Sequence, residues 1–172
     1  MEYTDILMIG DDVKARFCLE RPGTKQLIVI GTNPSIANSM QKDNTMECVT
    51  WIAQNNGFDG FIMLNLYPQR STNPDKLDKE LNTELHEENL KHIRTLFNDK
   101  SSPVILLAFG NLINKRNYLK QCFIDIVSVI QPSNPLWMQL GELTKIGNPR
   151  HPLYHTNDKL LDFDMASYLK RI

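Results

Sequence analysis

The sequence predicts an α/β protein with three layers, α/β/α, around a central and mostly parallel sheet. Three short apolar runs, QLIVIG, GFIMLNLY and PVILLAFG, suit strands that are covered on both faces. Segments whose apolar residues recur at helical spacing lie between and after these runs. Such an alternation of strands and helices is typical of a parallel sheet with helices on both sides.

The remaining elements are predicted from local patterns. ARFCLER alternates apolar and polar residues and PGTK is a turn, so Ala15–Gly31 is expected to form an N-terminal antiparallel hairpin. One helix should follow a cap at Asp43 or Asn44 and end at Gly57, and a second should span about Thr83–Asn98. NLINKRNYLKQCFIDIVSVI is predicted to be mostly helical with a late switch to extended structure. LWMQLGELTKIG should hold the last strand or two, and DKLLDFDMASYLKRI a closing amphipathic helix.

Composition indicates a soluble globular protein. The chain has 172 residues, a length that fits one domain over 1–172, and contains 41% hydrophobic and 23% charged residues. Its net charge of −1 counts against a dedicated nucleic-acid binder but is compatible with a local basic face. Seven residues are candidates for such a face: Lys42, Arg70, Lys115, Arg116, Lys120, Lys145 and Arg150.

Three further features bear on compartment and metal binding. Cys18, Cys48 and Cys122 are far apart and form no CxxC pair, which favours buried thiols over a disulfide framework or a zinc site. The N-terminus is acidic and lacks a signal-peptide pattern, and no apolar run has the roughly 20 residues of a membrane span. We therefore expect a cytoplasmic protein that does not contact a membrane, while its oligomeric state stays open.

In parallel α/β sheets ligands bind beyond the carboxyl ends of the strands, so the residues there are the candidate site. The first strand is followed by a pentapeptide in which the proline biases its predecessor toward an extended backbone. That bias can aim an amide at a water or at a base edge, although a turn without a ligand is the alternative. The phosphate-loop pattern GxxxxGK[ST] is absent. The pentapeptide is Gly31, Thr32, Asn33, Pro34 and Ser35.

The next two strands add further polar candidates. Asn65 is a lone polar residue in an apolar run, and it must bond either a neighbouring loop or a ligand. Arg70 is a candidate to contact an anion, with a solvated surface arginine as the alternative. Asn111 follows the third strand at the same edge of the sheet.

The segment GNPRHPLYH is a proline-stiffened loop with an unusual density of polar side chains. Its His151 is suited to donate to a developing anion or to shuttle a proton, next to Arg150. His151 and His155 have the spacing of helical metal ligands, but Pro152 opposes a helix and no third ligand is evident. We therefore expect no metal and no cofactor.

The motifs IGTNPSIAN, DNT, LNLYPQRSTNP, LLAFGN and GNPRHPLYH resemble those of a bacterial and phage family of proteins of unknown function, family 1643. The resemblance runs from about Ala15 to His155. Membership in that family implies no established activity.

The same motifs are more distantly similar to the uracil-DNA glycosylase superfamily, whose GQDPYH, LLLN, LLWG and HPSP sites occur in the same order. The resemblance implies a glycosylase-like fold in which Asn33 positions the attacking water and Asn65 binds the base edge. It also implies that His151 stabilises the departing base anion. Pro34 matches the loop proline, and Ser35 replaces a bulky tyrosine that excludes thymine. The serine of HPSP is missing from HPLYH, where Leu153 or Tyr154 is a candidate to wedge into or stack on nucleic acid. For Leu153 a contact with the core is the alternative.

These observations lead to one main hypothesis and two alternatives. The main hypothesis is an enzyme that hydrolyses the N-glycosidic bond of a base in DNA or in a nucleotide. One alternative is a module that binds a nucleotide or a modified base without cleavage. The other is a different hydrolase or transferase that uses Arg70 and Arg150 on a phosphate or carboxylate.

Overall fold

The computed structural model describes residues 1–153 and 155–172. Seven strands form one sheet in the order β1-β2-β4-β3-β5-β6-β7. The central strands β4, β3, β5 and β6 are parallel, whereas β1, β2 and β7 run antiparallel to their neighbours. The strands are β1 (Leu7–Gly10), β2 (Arg16–Arg21), β3 (Gln26–Gly31), β4 (Gly60–Asn65), β5 (Val104–Leu107), β6 (Leu136–Leu140) and β7 (Leu160–Asp162).

Helices cover both faces of this sheet, as the alternation of strands and helices predicts. The helices are α1 (Asn44–Asn55), α2 (Thr83–Phe97), α3 (Tyr118–Ile130) and α4 (Met165–Leu169). Alternate residues of each central strand point to opposite sides. Ile28 and Ile30 of β3 belong to the core under α2 and α3, while Leu27 and Val29 belong to the core under α1. The α/β class is confirmed. No helix within the described ranges is long and apolar enough to cross a membrane.

The two predicted helix termini of α1 are confirmed. The Asp43 carboxylate accepts a hydrogen bond from the Met46 N–H at 2.9 Å, which satisfies a donor of the first turn. Gly57 follows the helix with a φ of 74°, a conformation that glycine adopts without steric cost. The predicted helix Thr83–Asn98 corresponds to α2.

The predicted hairpin over Ala15–Gly31 is wrong, because β4 lies between β2 and β3. The four residues PGTK do reverse the chain, but they cross the start of β4, so that β3 lies on the far side of β4 from β2. Their passage is close, since a Cβ on Gly60 would lie 2.5 Å from the carbonyl oxygen of Arg21. The N-terminal hairpin of this protein is instead formed by β1 and β2.

The C-terminal predictions need two corrections. The segment ending at Ile130 stays helical throughout α3, without the expected switch to extended structure. The terminal segment is not one amphipathic helix. It first adds the edge strand β7 to the sheet, and only then forms α4, which begins after the cap Asp164.

Candidate functional site

A cavity of about 50 Å³ lies at the carboxyl ends of β3 and β4, where the sequence places the candidate site. This volume is several times the roughly 10–15 Å³ that one water requires. The loop after β3, the start of α1, the start of β2 and the loop around His151 all contribute to its wall. The lining residues are Arg16, Gly31, Thr32, Asn33, Ser35, Asp43, Thr45, Met46, Met63, Leu112 and His151.

The Asn33 side chain is held by the loop that follows β4. Its Nδ2 donates to the carbonyl oxygens of Pro34 and Ser71 at 3.0 and 2.9 Å. The Ser71 N–H in turn donates to the Pro34 carbonyl, so the two loops are joined. Because Nδ2 is occupied, Oδ1 is the atom of Asn33 that is left to accept a hydrogen bond from a water or a ligand.

The His151 imidazole is arranged to act as a neutral hydrogen-bond donor. Its Nδ1 lies 3.2 Å from the Leu153 N–H and accepts that hydrogen bond, so in the neutral ring the proton is on Nε2. Burial lowers the pKa of His151 below its usual value, against the smaller opposing effect of Asp43. The backbone and Cβ of His151 pack against Gly110, where a Cβ would lie 3.2 Å from the His151 Cβ.

Asn65 lies directly behind this cavity with an unsatisfied side chain. It ends β4 opposite Gly31 of β3 and is 1% exposed. Neither its Oδ1 nor its Nδ2 has a hydrogen-bond partner in the described parts of the chain. A Cβ on Gly31 would lie 2.6 Å from the Met63 methyl group and 3.0 Å from Asn65 Oδ1, so the space that the missing side chain leaves is shared by the Asn65 amide and the flexible end of Met63, which lines the cavity. Of the two alternatives that the sequence leaves open for this side chain, the bond to a neighbouring loop is not made within the described residues.

Two of the predicted ligand contacts are engaged within the protein. Thr32 Oγ1 donates to the Phe109 carbonyl at 2.9 Å, which ties the loop after β3 to the end of β5. Asn111 Oδ1 accepts from Thr144 Oγ1 and from Asn148 Nδ2, and thereby anchors the loop before His151.

Arg70 is neither solvated nor directed at the cavity. Its guanidinium donates to the carbonyl oxygens of Asp11, Ser35 and Ala37, and it pairs with Asp12 at 3.6 Å. These contacts clamp the loop that contains Ser35, so Arg70 supports the wall of the cavity from outside.

The GNPRHPLYH loop is held by its own polar side chains and by Asn111, Tyr168 and Arg171 from other segments. Arg150 donates to the Glu142 carbonyl at 2.6 Å and contacts His155, which in turn lies 3.0 Å from Asp158. Arg150 is therefore not part of the cavity lining, and Tyr154 lies outside the described residues. In the described ranges no three His, Cys, Asp or Glu side chains are grouped to hold a metal ion.

The seven candidate basic residues are largely occupied as well. Arg116 donates to the carbonyl oxygens of Asp75, Leu77 and Asp78, and Lys115 pairs with Asp75 at 2.6 Å. Lys42 pairs with Glu47 on α1. The contacts of Arg116 and Lys115 hold the loop of residues 75–78 in place. The existence of one basic face stays a prediction.

Two charged residues of the cavity are absent from the sequence-based site. Asp43 is predicted only as a helix cap, although it also belongs to the DNT motif. Arg16 is hidden because ARFCLER resembles a half-buried strand in which the arginine faces solvent. Once β2 is placed antiparallel to β4, Arg16 lies at the same sheet edge as Asn65, and it is only 2% exposed.

The fold and the cavity thus define an α/β protein with a polar site at the carboxyl ends of its central parallel strands. The family model described as Protein of unknown function (DUF1643) matches residues 16–153, and the chain belongs to this family. No curated protein and no solved structure gives a significant match. The matched range contains all the residues that line the cavity.

Proposed function

We propose that this protein binds a nucleobase at the cavity and hydrolyses the N-glycosidic bond that joins the base to its sugar. The observation that carries the proposal is the buried Asn65 amide, whose two polar atoms have no described partner beside a cavity lined by Asn33 and His151. An amide left in this state costs about 1–3 kcal/mol, a cost that a base edge with one donor and one acceptor would offset. The motif similarity to the uracil-DNA glycosylase superfamily supports the same three residues.

His151 would stabilise the charge that develops on the base. When the bond between C1′ and the base nitrogen breaks, the electron pair leaves with the base, and the Nε2–H of His151 donates to the anionic base oxygen. The neutral ring supplies this donor near neutral pH, because burial lowers the pKa of His151 and Nδ1 accepts the Leu153 N–H. Donors placed toward developing negative charge contribute about 10²–10³ in rate.

Asn33 and Asp43 would position the water that attacks C1′. Asn33 offers Oδ1 as an acceptor but is too weak a base to take a proton. Asp43 supplies a carboxylate in the same cavity, and one of its oxygens caps α1. The water oxygen forms the new bond to C1′, and its proton passes to the Asp43 carboxylate.

The test is single-turnover release of free base from a panel of nucleotides and of single- and double-stranded oligonucleotides. Three histidine variants separate catalysis from folding. His151→Asn keeps an acceptor for the Leu153 N–H but has no donor at the Nε2 position, so release should fall about 10²–10³-fold. His151→Gln places an amide near Nε2 and should retain part of the rate. His92→Asn removes a histidine of α2 outside the cavity and should leave release unchanged.

Asp43→Asn tests the water-positioning role separately, because asparagine is as good a helix cap as aspartate. We expect slow release and unchanged stability. Release that is equal to wild type in both His151→Asn and Asp43→Asn would refute the proposed chemistry. Base affinity that needs Asn65, without release from any substrate by the wild type, would favour the non-catalytic binding module.

A further inference from the structure

Arg16 is a buried cation that forms no salt bridge within the described residues. Its Nη1 donates to the Ala37 carbonyl at 2.7 Å, while its Nε has no partner among residues 1–153 and 155–172. No Asp or Glu in these ranges forms a salt bridge with it. Buried charges are normally paired, because removing an ion from water is costly. Arg16 also lines the cavity.

A second guanidinium makes this environment still more positive. Arg70 donates to the same Ala37 carbonyl at 3.1 Å, so the two like charges converge on one oxygen. Arg70 forms a salt bridge with Asp12, whereas Arg16 forms none with any acidic residue in the described ranges. Burial and the charge of Arg70 both lower the pKa of Arg16, to about 10, and it stays protonated at neutral pH.

The acidic side chain in the cavity lining, Asp43, does not neutralise Arg16 through a salt bridge. Asp43 acts on Arg16 electrostatically, but one of its oxygens accepts the Met46 N–H and it forms no salt bridge with the guanidinium. A bound anion would supply both a counter-charge and an acceptor for the unpartnered Nε–H, and planar guanidinium groups are well suited to bind oxyanions.

We propose that the cavity is an anion-binding site in which Arg16 pairs with a negatively charged oxygen of the ligand. This proposal rests on the proposed function, which it deepens by requiring that the ligand be anionic when bound. The charge has two possible sources, a phosphate attached to the sugar or a base that has itself lost a proton.

The experiment compares thermal midpoints of wild type and Arg16→Met at matched ionic strength in chloride. The probes are inorganic phosphate, a nucleoside with its 5′-monophosphate, uracil, and xanthine as a base that ionises near neutral pH. We expect phosphate to raise the wild-type midpoint by several degrees at saturation. Arg16→Met should bind it at least about tenfold more weakly, and in chloride alone it should be no less stable than wild type, because methionine carries no charge.

Two controls keep the result interpretable. Arg21→Met removes an arginine at the other end of β2 and should retain the phosphate response. In wild-type protein, the NMR signal of a buried arginine Nε–H that is lost in Arg16→Lys should shift as phosphate is added. This second measurement needs no folded methionine variant.

A response to the monophosphate but not to the nucleoside identifies a sugar phosphate, and a response to xanthine but not to uracil identifies an anionic base. The inference is overturned if none of the anions stabilises the wild type, or if Arg16→Met responds as wild type does. Base release without anion binding would reject this inference and keep the proposed function. Anion binding without base release would keep this inference and reject the proposed function.

Discussion

The two ends of the central sheet differ in how the polar groups described here are hydrogen-bonded. At the amino end, the Asp59 carboxylate accepts hydrogen bonds from Thr24 N–H, Thr24 Oγ1 and Lys25 N–H. At the carboxyl end, Asn65 and Arg16 are buried with polar atoms unpartnered. Within the described ranges, three of the six buried side-chain nitrogen and oxygen atoms without a partner belong to these two residues, and the other three are His86 Nδ1, Asn89 Oδ1 and Trp137 Nε1.

Under the proposed function, this contrast separates the part of the sheet that stabilises the fold from the part that binds a ligand. Each unmet buried polar group lowers the free energy of unfolding, and native proteins contain few of them. Two such residues beside one cavity are best explained by a partner that binds there. At the amino end, three donors of the tight crossing bond to Asp59, which joins the crossing to the start of β4.

The strongest test of this difference adds one methyl group at each end of the central sheet. In Gly60→Ala the new Cβ would lie 2.5 Å from the Arg21 carbonyl oxygen and 3.0 Å from the Gly23 nitrogen. Backbone atoms cannot move aside cheaply, so we expect a loss of about 3 kcal/mol in the free energy of unfolding. Urea denaturation measures it.

Gly31→Ala is the matched variant at the carboxyl end. Its Cβ meets the flexible Met63 methyl group at 2.6 Å and the Asn65 amide oxygen at 3.0 Å. The methionine can shift, so the stability loss should be about 1 kcal/mol, but the methyl group covers Asn65 and ligand binding should be lost. An equal loss of stability in both variants, with binding retained in Gly31→Ala, would contradict the division of roles.

Local sequence patterns predict the central strands and the helices α1 and α2, because period, caps and turn residues are local properties. They do not predict which strands pair. A four-residue connection normally joins neighbouring strands. Here it crosses β4, and it does so because Gly60 and Gly23 have no side chains at the crossing. That close approach is a tertiary fact, visible only when the sheet is assembled.

The candidate site was predictable where it follows from strand ends and was missed where it follows from strand pairing. Asn33 and His151 line the cavity, and Asn65 lies behind it, as the rule for parallel sheets predicts. Arg16 could not be found, because its place depends on the antiparallel pairing of β2 with β4. Arg70 could not be assigned from sequence either, since its partners lie on segments distant along the chain.

Two buried asparagines, one bonded and one not, allow a second test of this difference. Asn148 is 5% exposed and fully bonded, because its Oδ1 accepts from Tyr168 Oη at 2.8 Å and its Nδ2 donates to Asn111. Asn148→Leu should lower the free energy of unfolding by about 1–3 kcal/mol, since it leaves the buried tyrosine hydroxyl unpaired.

Asn65→Leu should instead be neutral or raise the free energy of unfolding by about 1 kcal/mol, because both lost polar atoms are unpaired. The bond from Asn89 to the Asn65 backbone carbonyl survives the change. Parallel denaturation curves without ligand provide the measurement. A loss in Asn65→Leu as large as that in Asn148→Leu would show that the Asn65 amide already has a partner in the folded protein.

The smallest expected effect is the pH dependence contributed by His151. Its folded pKa is lowered by burial, whereas in the unfolded chain it is about 6.5, so the unfolded state binds the proton more readily. The contribution to stability is therefore complete above about pH 6.5 and declines as the pH falls toward the folded pKa. Protonation of Nδ1 would also break the hydrogen bond from the Leu153 N–H. His151→Asn keeps that acceptor but does not titrate, so the wild type should lose more stability than this variant between pH 7.5 and pH 5. If the two proteins lose stability in parallel over that interval, the imidazole is already solvated in the folded state and is not the neutral, desolvated donor that the proposed chemistry requires.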